Sequence, residues 1–522
     1  MKKMKKVIKF TKVLSFALLL ASYGCTKWVD ELKPETSQDI NSLTTSTRDL
    51  ETLVNGMYTG IIAPAGHAVF IEIAETLSDN FTINPLKRST ALAIESYSCY
   101  SHSFNNIDAG LPRYTLQWNS LSIYPANLII KTLDAGKIVN DPNYALYAPR
   151  QLGEALTIRA LSYWQQVLWF GLQYAPSTIN TPSVVYRDWP ILGISDIPAP
   201  RKTVGEAYNI IKKDLLRAIP VLPDHYDPAI DPAGFKMRIR KDFAVATLAK
   251  VYFQSNNFDS TLIYCNQLLG PVSVTGSTKY PLAANVLTLW NILSVPPFVD
   301  WGWKSTDAAN VHEIIYGCDG QDAFRMTNSG KWGFMNAICP VGTPTITGAT
   351  EVYCLGQPYV DLMVKGDTAN DQRWKKLVKR VRGQWWQNKF AISTFEYPFF
   401  RSAEFLLMRA ECNARKNNLP DALADLNVVR KRAGIPAYSG TGQPAIIQEI
   451  IDERGREMVC EAVRYFDMLR LSALSNGAFL VPLGQKIADD KVYVNGADAL
   501  RFDSPFLQWH YPSSEAQVNP LF

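Results

Sequence analysis

Histidine is scarce, with five residues in a chain of 522: His67, His102, His225, His312 and His510. No two of them stand at metal-ligand spacing, and His312-Glu313 lacks the later histidine that a zinc-hydrolase motif requires. A glycine-rich phosphate loop and a Gly-x-Ser-x-Gly nucleophile turn are also missing. Metal-dependent hydrolysis, nucleotide chemistry and serine-esterase chemistry therefore have no motif to rest on, and neither cofactor nor metal is expected. No apolar run reaches the ~20 residues that span a bilayer. A basic excess is lacking too. The net charge of +5 comes from the N-terminus. Without residues 1–24, which hold six lysines and no acid, 47 basic side chains face 48 acidic ones. That balance leaves no field for nucleic acid.

What is present begins with an export signal. Lys2, Lys3, Lys5, Lys6, Lys9 and Lys12 form a positive region, and Val13 to Ala21 is a short apolar core. Ala21-Ser22-Tyr23-Gly24 then leads to Cys25. Small residues before a cysteine look like a bacterial lipobox; Gly24 fits, and Tyr23 departs from the pattern. The likeness implies that residues 1–24 are removed and that Cys25 becomes a lipidated N-terminus. Each buried methylene contributes about 0.8 kcal/mol, so several acyl chains hold a protein firmly. The bland alternative is an ordinary signal with a chance cysteine. Residues 25–47 read as a polar tether. Seven cysteines remain, an odd number. Cys412 and Cys460 sit in helical patterns and read as small core residues. Cys339 and Cys354 flank a Gly/Pro/Thr loop, and their pairing stays open.

The stretch from Ser402 to Gly434 organises the rest. Ala403, Leu406, Leu407, Ala410 and Ala414 repeat at helical spacing. Asn417 and Asn418 interrupt it, and Pro420 suits the first turn of a second helix. Leu419, Ala422, Leu423, Leu426 and Val429 form the second stripe, and Gly434 is free to end it at positive φ. Ala249, Asn256, Asn257, Leu262 and Asn266 reproduce the same pattern earlier in the chain. A third, looser copy has Arg159-Ala160 where the first has Arg409-Ala410. One helix pair cannot bury its own apolar face, so recurrence implies stacked pairs similar to tetratricopeptide repeats. The sequence between degenerate, widely spaced repeats is then insertion, where binding surfaces usually lie.

Other elements follow from local signals. Thr203 to Glu206 is a capping box opening a helix whose stripe is Val204, Ala207, Ile211, Leu215 and Ala218. A helix over 118–134 is expected to kink at Pro125. Between 270 and 398 helical periodicity fades into Gly, Pro, Trp, Thr and Ser, with short strands in 311–319 and 384–393. Trp385-Trp386 in the second strand should place one ring inward and one outward. Residues 448–471 read as one long charged helix. Arg454–Glu457, Glu461–Arg464 and Asp467–Arg470 stand at i,i+3 on it. A hydrolase reading would take Glu457 and Glu461 as paired acid and base. Flanking arginines favour a structural salt-bridge network instead.

Four segments in order resemble the SusD-like (RagB/SusD) family: 154–171, 201–223, 400–434 and 450–471, the last similar to its Glu-Arg…Glu…Arg-aromatic-Phe-Asp…Arg helix. The likeness covers nearly the whole mature chain. The family's usual Glu-Gly-x-Arg is Glu461-Ala462-Val463-Arg464 here. Alanine for glycine inside a helix should be favourable by about 1 kcal/mol. The resemblance implies a mainly α fold: tetratricopeptide-like helix pairs against an irregular α+loop subdomain with a few short strands. It implies an outer-membrane surface lipoprotein, not an enzyme. Such a protein captures an oligosaccharide, or sometimes a peptide, for a TonB-dependent SusC-like transporter. The expected divisions are an N-terminal helical region over 48–269, a ligand-binding insertion over 270–398 and a C-terminal helical region over 399–522.

Aromatics outside helical periodicity are the best candidates for ligand contact. Trp301 and Trp303 form one cluster, and Trp332 and Phe334 another. Flat rings stack on sugar faces while nearby polar groups bond the hydroxyls. Asp79, Arg88, Tyr97 and Tyr100 lie where the resemblance implies a second ligand loop. The competing reading is that these rings pin the insertion to the helices. A secreted glycan hydrolase and a protein-only helical adaptor are the alternatives to the binding module.

Overall fold

A computed structural model describes residues 43–60, 64–85, 110–227, 238–286, 289–290, 313–318, 352–389, 397–483 and 497–522. Its long helices are α1 (Thr47–Met57), α2 (Pro64–Leu77), α3 (Gly110–Asp134), α4 (Tyr144–Phe170) and α5 (Val204–Ala218). They continue with α6 (Lys241–Gln254), α7 (Phe258–Leu269), α8 (Gln357–Lys365) and α9 (Gln372–Leu377). The C-terminal set is α10 (Ser402–Arg415), α11 (Leu419–Ala433), α12 (Gln443–Glu457), α13 (Arg464–Leu474) and α14 (Ser513–Val518). Strands are short and pair two by two, all antiparallel.

Helices stack in sequence order. α3 packs on α4, α4 on α5, α5 on α6, α6 on α7, α7 on α10, and α10 on both α11 and α12. This is the stacked-pair frame that the repeats imply, and a single apolar core runs from Leu50 to Tyr511 through it. The repeated asparagines have one physical job. Asn256 (φ 56°) and Asn417 (φ 62°) both take the left-handed conformation that ends the first helix of a pair. Asparagine tolerates that region better than other residues with a Cβ. Gly434 does the same after α11, at φ 81°.

The matched Arg-Ala positions also have one job. Arg409 on α10 holds Asp425 on α11 through Nε and Nη2 at 2.7 and 2.9 Å. Arg159 on α4 holds Asp214 on α5 through the same two nitrogens, both at 2.8 Å. Each pair is clamped by a buried bidentate bridge beside a small alanine. Thr203 and Glu206 form the expected capping box at the start of α5. Pro125 lies inside α3, and Pro149 lies inside the first turns of α4. Strands β4 (Ile314–Cys318) and β7 (Gln384–Gln387) fall inside the two expected stretches. In β7, Trp386 is buried, while Trp385 is half-exposed against Trp374 at 4.7 Å.

One expected element is not a single piece. The helix anticipated over 448–471 breaks between Glu457 and Arg464. Cys460 (φ 65°) and Ala462 (φ 57°) both sit in the left-handed region there. Cys460 is buried as expected, but in this turn rather than in a helix. Ala462 therefore gains nothing from helix propensity. Its Cβ is in the conformation that glycine occupies without strain, costing roughly 1–2 kcal/mol.

Candidate functional site

The break between α12 and α13 is caused by a residue far upstream. Glu75, near the C-terminal end of α2, is completely buried. Its Oε1 accepts from the backbone N–H of Glu461 at 3.1 Å and of Ala462 at 3.0 Å. The backbone turns through positive φ at Cys460 and Ala462, so the two successive N–H groups converge on one carboxylate in a small anion-holding nest. Oε2 accepts from Asn80 Nδ2 at 2.9 Å. Burial raises the Glu75 carboxyl to about 7, only partly opposed by the bonds from Asn80 and the turn.

Buried charges spread outward from this turn. Glu461 accepts from Arg401 Nε and from Lys389 Nζ, both at 2.6 Å. Arg401 also reaches Glu457 at 2.6 Å and Glu313 at 2.8 Å. Glu457 is further held by Arg373 at 2.9 Å and by Arg432. Arg454 pairs with Asp467 at 2.6 Å, and Arg464 pairs with Asp79. Only Asp467–Arg470, at 3.4 Å, keeps the expected i,i+3 partner on one helix. The network is structural as anticipated, but its partners lie across helices and out of solvent. A carboxylate stripped of water needs such partners, or it neutralises.

That arrangement bears on acid–base chemistry. Burial alone would raise the Glu457 carboxyl, but Arg432, Arg401 and Arg373 outweigh it and hold it well below the usual carboxylate range. Burial of Glu461 is likewise outweighed by Arg401 and Lys389, and its carboxyl is lowered. Neither group keeps a proton to donate near neutral pH, as a glycosidic acid must. Among the described residues, no group of three or more His, Cys, Asp or Glu could hold a metal ion.

The same region roots the segments expected to touch ligand. β1 (Phe81–Ile83) pairs with β5 (Tyr353–Leu355), placing Phe81 opposite Leu355 and Ile83 opposite Tyr353. The Asn84 N–H donates to the Val352 carbonyl at 2.8 Å, one step beyond the strand. The chain therefore leaves toward residues 86–109 beside the point where it returns from 319–351. Segment 291–312 is rooted at both ends on Arg401. Its guanidinium lies 5.6 Å from the Trp290 ring centroid and bonds Glu313. Glu313 directly precedes β4, which pairs with β8 (Tyr397–Arg401).

Of the sequence candidates, Arg88, Tyr97, Tyr100, Trp301, Trp303, Trp332 and Phe334 lie outside the described residues, as does Cys25. Asp79 is described. Its two carboxylate oxygens accept from Arg464 Nε and Nη2, both at 2.7 Å, and it is 7% exposed. That fixes the turn before β1 to the first residue of α13. Sequence reasoning did not find Glu75, Lys389 or Arg401 as members of this root. The trace in the sequence was a pair of acids, Glu72 and Glu75, in an otherwise apolar helix.

A family model for the SusD family matches residues 324–518, and a second, described as "Starch-binding associating with outer membrane", matches residues 28–253. The chain belongs to the SusD family. The SusD fold is shared with solved structures at low identity. A SusD superfamily protein from Bacteroides thetaiotaomicron superposes with a TM-score of 0.71 at 16% identity, covering 91% of this chain and 99% of that one. A SusD-like carbohydrate binding protein from Bacteroides vulgatus gives 0.66 at 14% identity, covering 92% and 97%. Surface glycan-binding protein A from Bacteroides uniformis gives 0.67 at 17% identity, covering 91% and 99%. No curated protein matches the sequence. For this SusD-family chain, no helix among the described residues is long and apolar enough to cross a membrane.

Proposed function

We propose that this protein is a non-catalytic nutrient-capturing lipoprotein of the outer membrane, which binds an oligosaccharide and passes it to a SusC-like TonB-dependent transporter. The observation that carries this reading is the family match over residues 28–253, whose description joins starch binding to the outer membrane. The geometry agrees with it. A stiff frame of stacked helix pairs holds the start of 86–109 beside the end of 319–351 at β1–β5, and both flanks of 291–312 at Arg401. Buried, arginine-held carboxylates at Glu457 and Glu461 suit a frame and not an acid–base pair.

In this reading Cys25 carries the lipid. Trp301, Trp303, Trp332 and Phe334 stack on sugar rings, and Arg88, Tyr97 and Tyr100 supply the second contact surface. Asp79 acts behind that surface by fixing its root to Arg464. The test is titration of the mature protein with neutral glucan oligosaccharides by calorimetry, with reducing-end release measured in parallel. Binding without release is expected, and loss of binding in Trp301→Ala with Trp332→Ala. Release that vanishes with one carboxylate variant would replace this reading with a hydrolase. Binding of peptides and not glycans would make it a peptide-capturing member of the family.

A further inference from the structure

A cleft of about 950 Å³ opens on the helical frame, and none of the described residues that line it is named above as a ligand contact. The end of α3 and the exposed side of α5 form its walls. Tyr186 and Trp189, in the connector after β2 (Pro182–Val185), line it as well. The Trp189 ring is fixed from behind, because its Nε1–H donates to the Asp196 carbonyl at 2.8 Å. Across the mouth, Arg217 bonds Asp134, with Nη1 to Oδ2 at 3.0 Å.

Arg159 lines the cleft, and comparison with its repeat partner is the central observation. Arg409 spends four N–H groups: two on Asp425, one on Asn266 Oδ1 at 3.0 Å and one on the Gly270 carbonyl at 2.6 Å. Arg159 makes the first three of these bonds, with Asp214 and with Asn127 Oδ1 at 3.1 Å. It has no counterpart of the Gly270 carbonyl among the described residues. Yet Arg159 is only 5% exposed, and an unpaired donor on a residue that buried is costly. The place filled by a protein oxygen in one repeat faces the cleft in the other.

The remaining lining asks for the same kind of atom. Lys131, Lys202 and Lys213 border the cleft and make no ion pair among the described residues. Of the three lining carboxylates, Asp214 and Asp134 are held by Arg159 and Arg217, and the exposed Asp188 alone makes no ion pair among the described residues, so three lysines outnumber it and donors prevail, beside two aromatic rings. We propose that it is a second ligand site, for an oligosaccharide bearing carboxylate groups, such as a polyuronate. The carboxylates meet the three lysines, a sugar ring lies on Trp189, and a sugar oxygen accepts from Arg159. A peptide backbone presents donors and acceptors in equal number and would leave its N–H groups facing lysines. The nearby amide oxygen of Asn127, an acceptor of the kind such N–H groups need, is already spent on Arg159 Nη1 at 3.1 Å.

The experiment is calorimetric titration of the mature protein with a homogalacturonan oligosaccharide, a neutral glucan of equal length and poly-glutamate. Lys131→Met with Lys213→Met is the main variant, since both residues are exposed and neither carries a fold contact. Loss of these charge-assisted bonds should weaken uronate binding by about tenfold or more. Trp189→Phe serves as a second variant with a smaller effect. Trp301→Ala with Trp332→Ala should leave uronate binding intact while removing neutral-glucan binding, so this site and the proposed nutrient site fail independently. The proposal is overturned if uronate does not bind, if the lysine variants bind it as the parent does, or if poly-glutamate competes as the tighter ligand.

Discussion

The backbone N–H of Ala462 donates to Oε1 of Glu75, 387 positions earlier in the chain, at 3.0 Å. The bond dictates the turn between α12 and α13, and it forces an alanine into a glycine conformation. Ala462→Gly should therefore stabilise the protein by about 1 kcal/mol, through relief of the left-handed strain less the added freedom of the unfolded chain. Urea unfolding checks this: the midpoint rises with an unchanged slope. A lower midpoint would mean that the Cβ packs favourably enough to outweigh its strain.

Glu75 itself makes stability depend on pH in an unusual sense. Its carboxyl is raised to about 7 in the fold against an ordinary 4.5, with burial as the chief cause. The native state then binds more protons than the unfolded state between those values. The stability this group contributes is full below about 4.5 and is lost as pH rises through about 7, by roughly 3 kcal/mol. Glu75→Gln should flatten that part of the stability-against-pH curve. A curve of unchanged slope in the variant would place the titration elsewhere.

Glu411 works in the opposite direction. Burial would raise its carboxyl, but Arg470 and Arg415 outweigh burial and hold it down to about 2. Its contribution is present above the ordinary 4.5 and disappears as pH falls toward 2. Acid unfolding of Glu411→Gln should consequently be less steep over that interval than that of the parent.

Arg401 bonds Glu313, Glu457 and Glu461 at once, all out of solvent. Arg401→Met leaves three buried carboxylates short of a partner and should cost about 3–5 kcal/mol. Lys416→Ala removes a pair with Asp259 that is open to water, and should leave the unfolding midpoint where it is. Equal effects from the two variants would deny that burial sets the worth of these bridges.

Asp79→Asn separates support from contact. Both oxygens of Asp79 are taken by Arg464. The variant should lower stability by about 1–3 kcal/mol while glycan affinity, measured well below the unfolding transition, stays within twofold of the parent. A large affinity loss with unchanged stability would restore Asp79 as a direct ligand contact.

These predictions mark where the sequence was informative. The hairpins at Ala249–Asn266 and Ala403–Gly434 were legible because apolar spacing, an asparagine stop and a glycine end agree locally. The Thr203–Glu206 cap was legible for the same reason. The Arg-Ala match between positions 159 and 409 pointed correctly to repeated structure, though not to the aspartate each arginine would hold. The break at 458–463 was hidden because its local pattern is helical and its cause, Glu75, lies in another helix. Charge partners were misjudged on α12 and α13 because neighbours at i,i+3 are visible in a sequence, whereas Arg373, Arg401 and Lys389 come from elsewhere.

The pairing of β1 with β5 has a practical consequence. Pro85 and Val352 flank a two-strand splice held by backbone bonds and by the buried side chains of Phe81, Ile83, Tyr353 and Leu355. Exchanging residues 86–109 and 319–351 together for those of a relative would cut the chain beside this one paired junction and leave the core strands in place. On the proposed function, such a transplant would carry the donor's ligand preference onto one unchanged chassis.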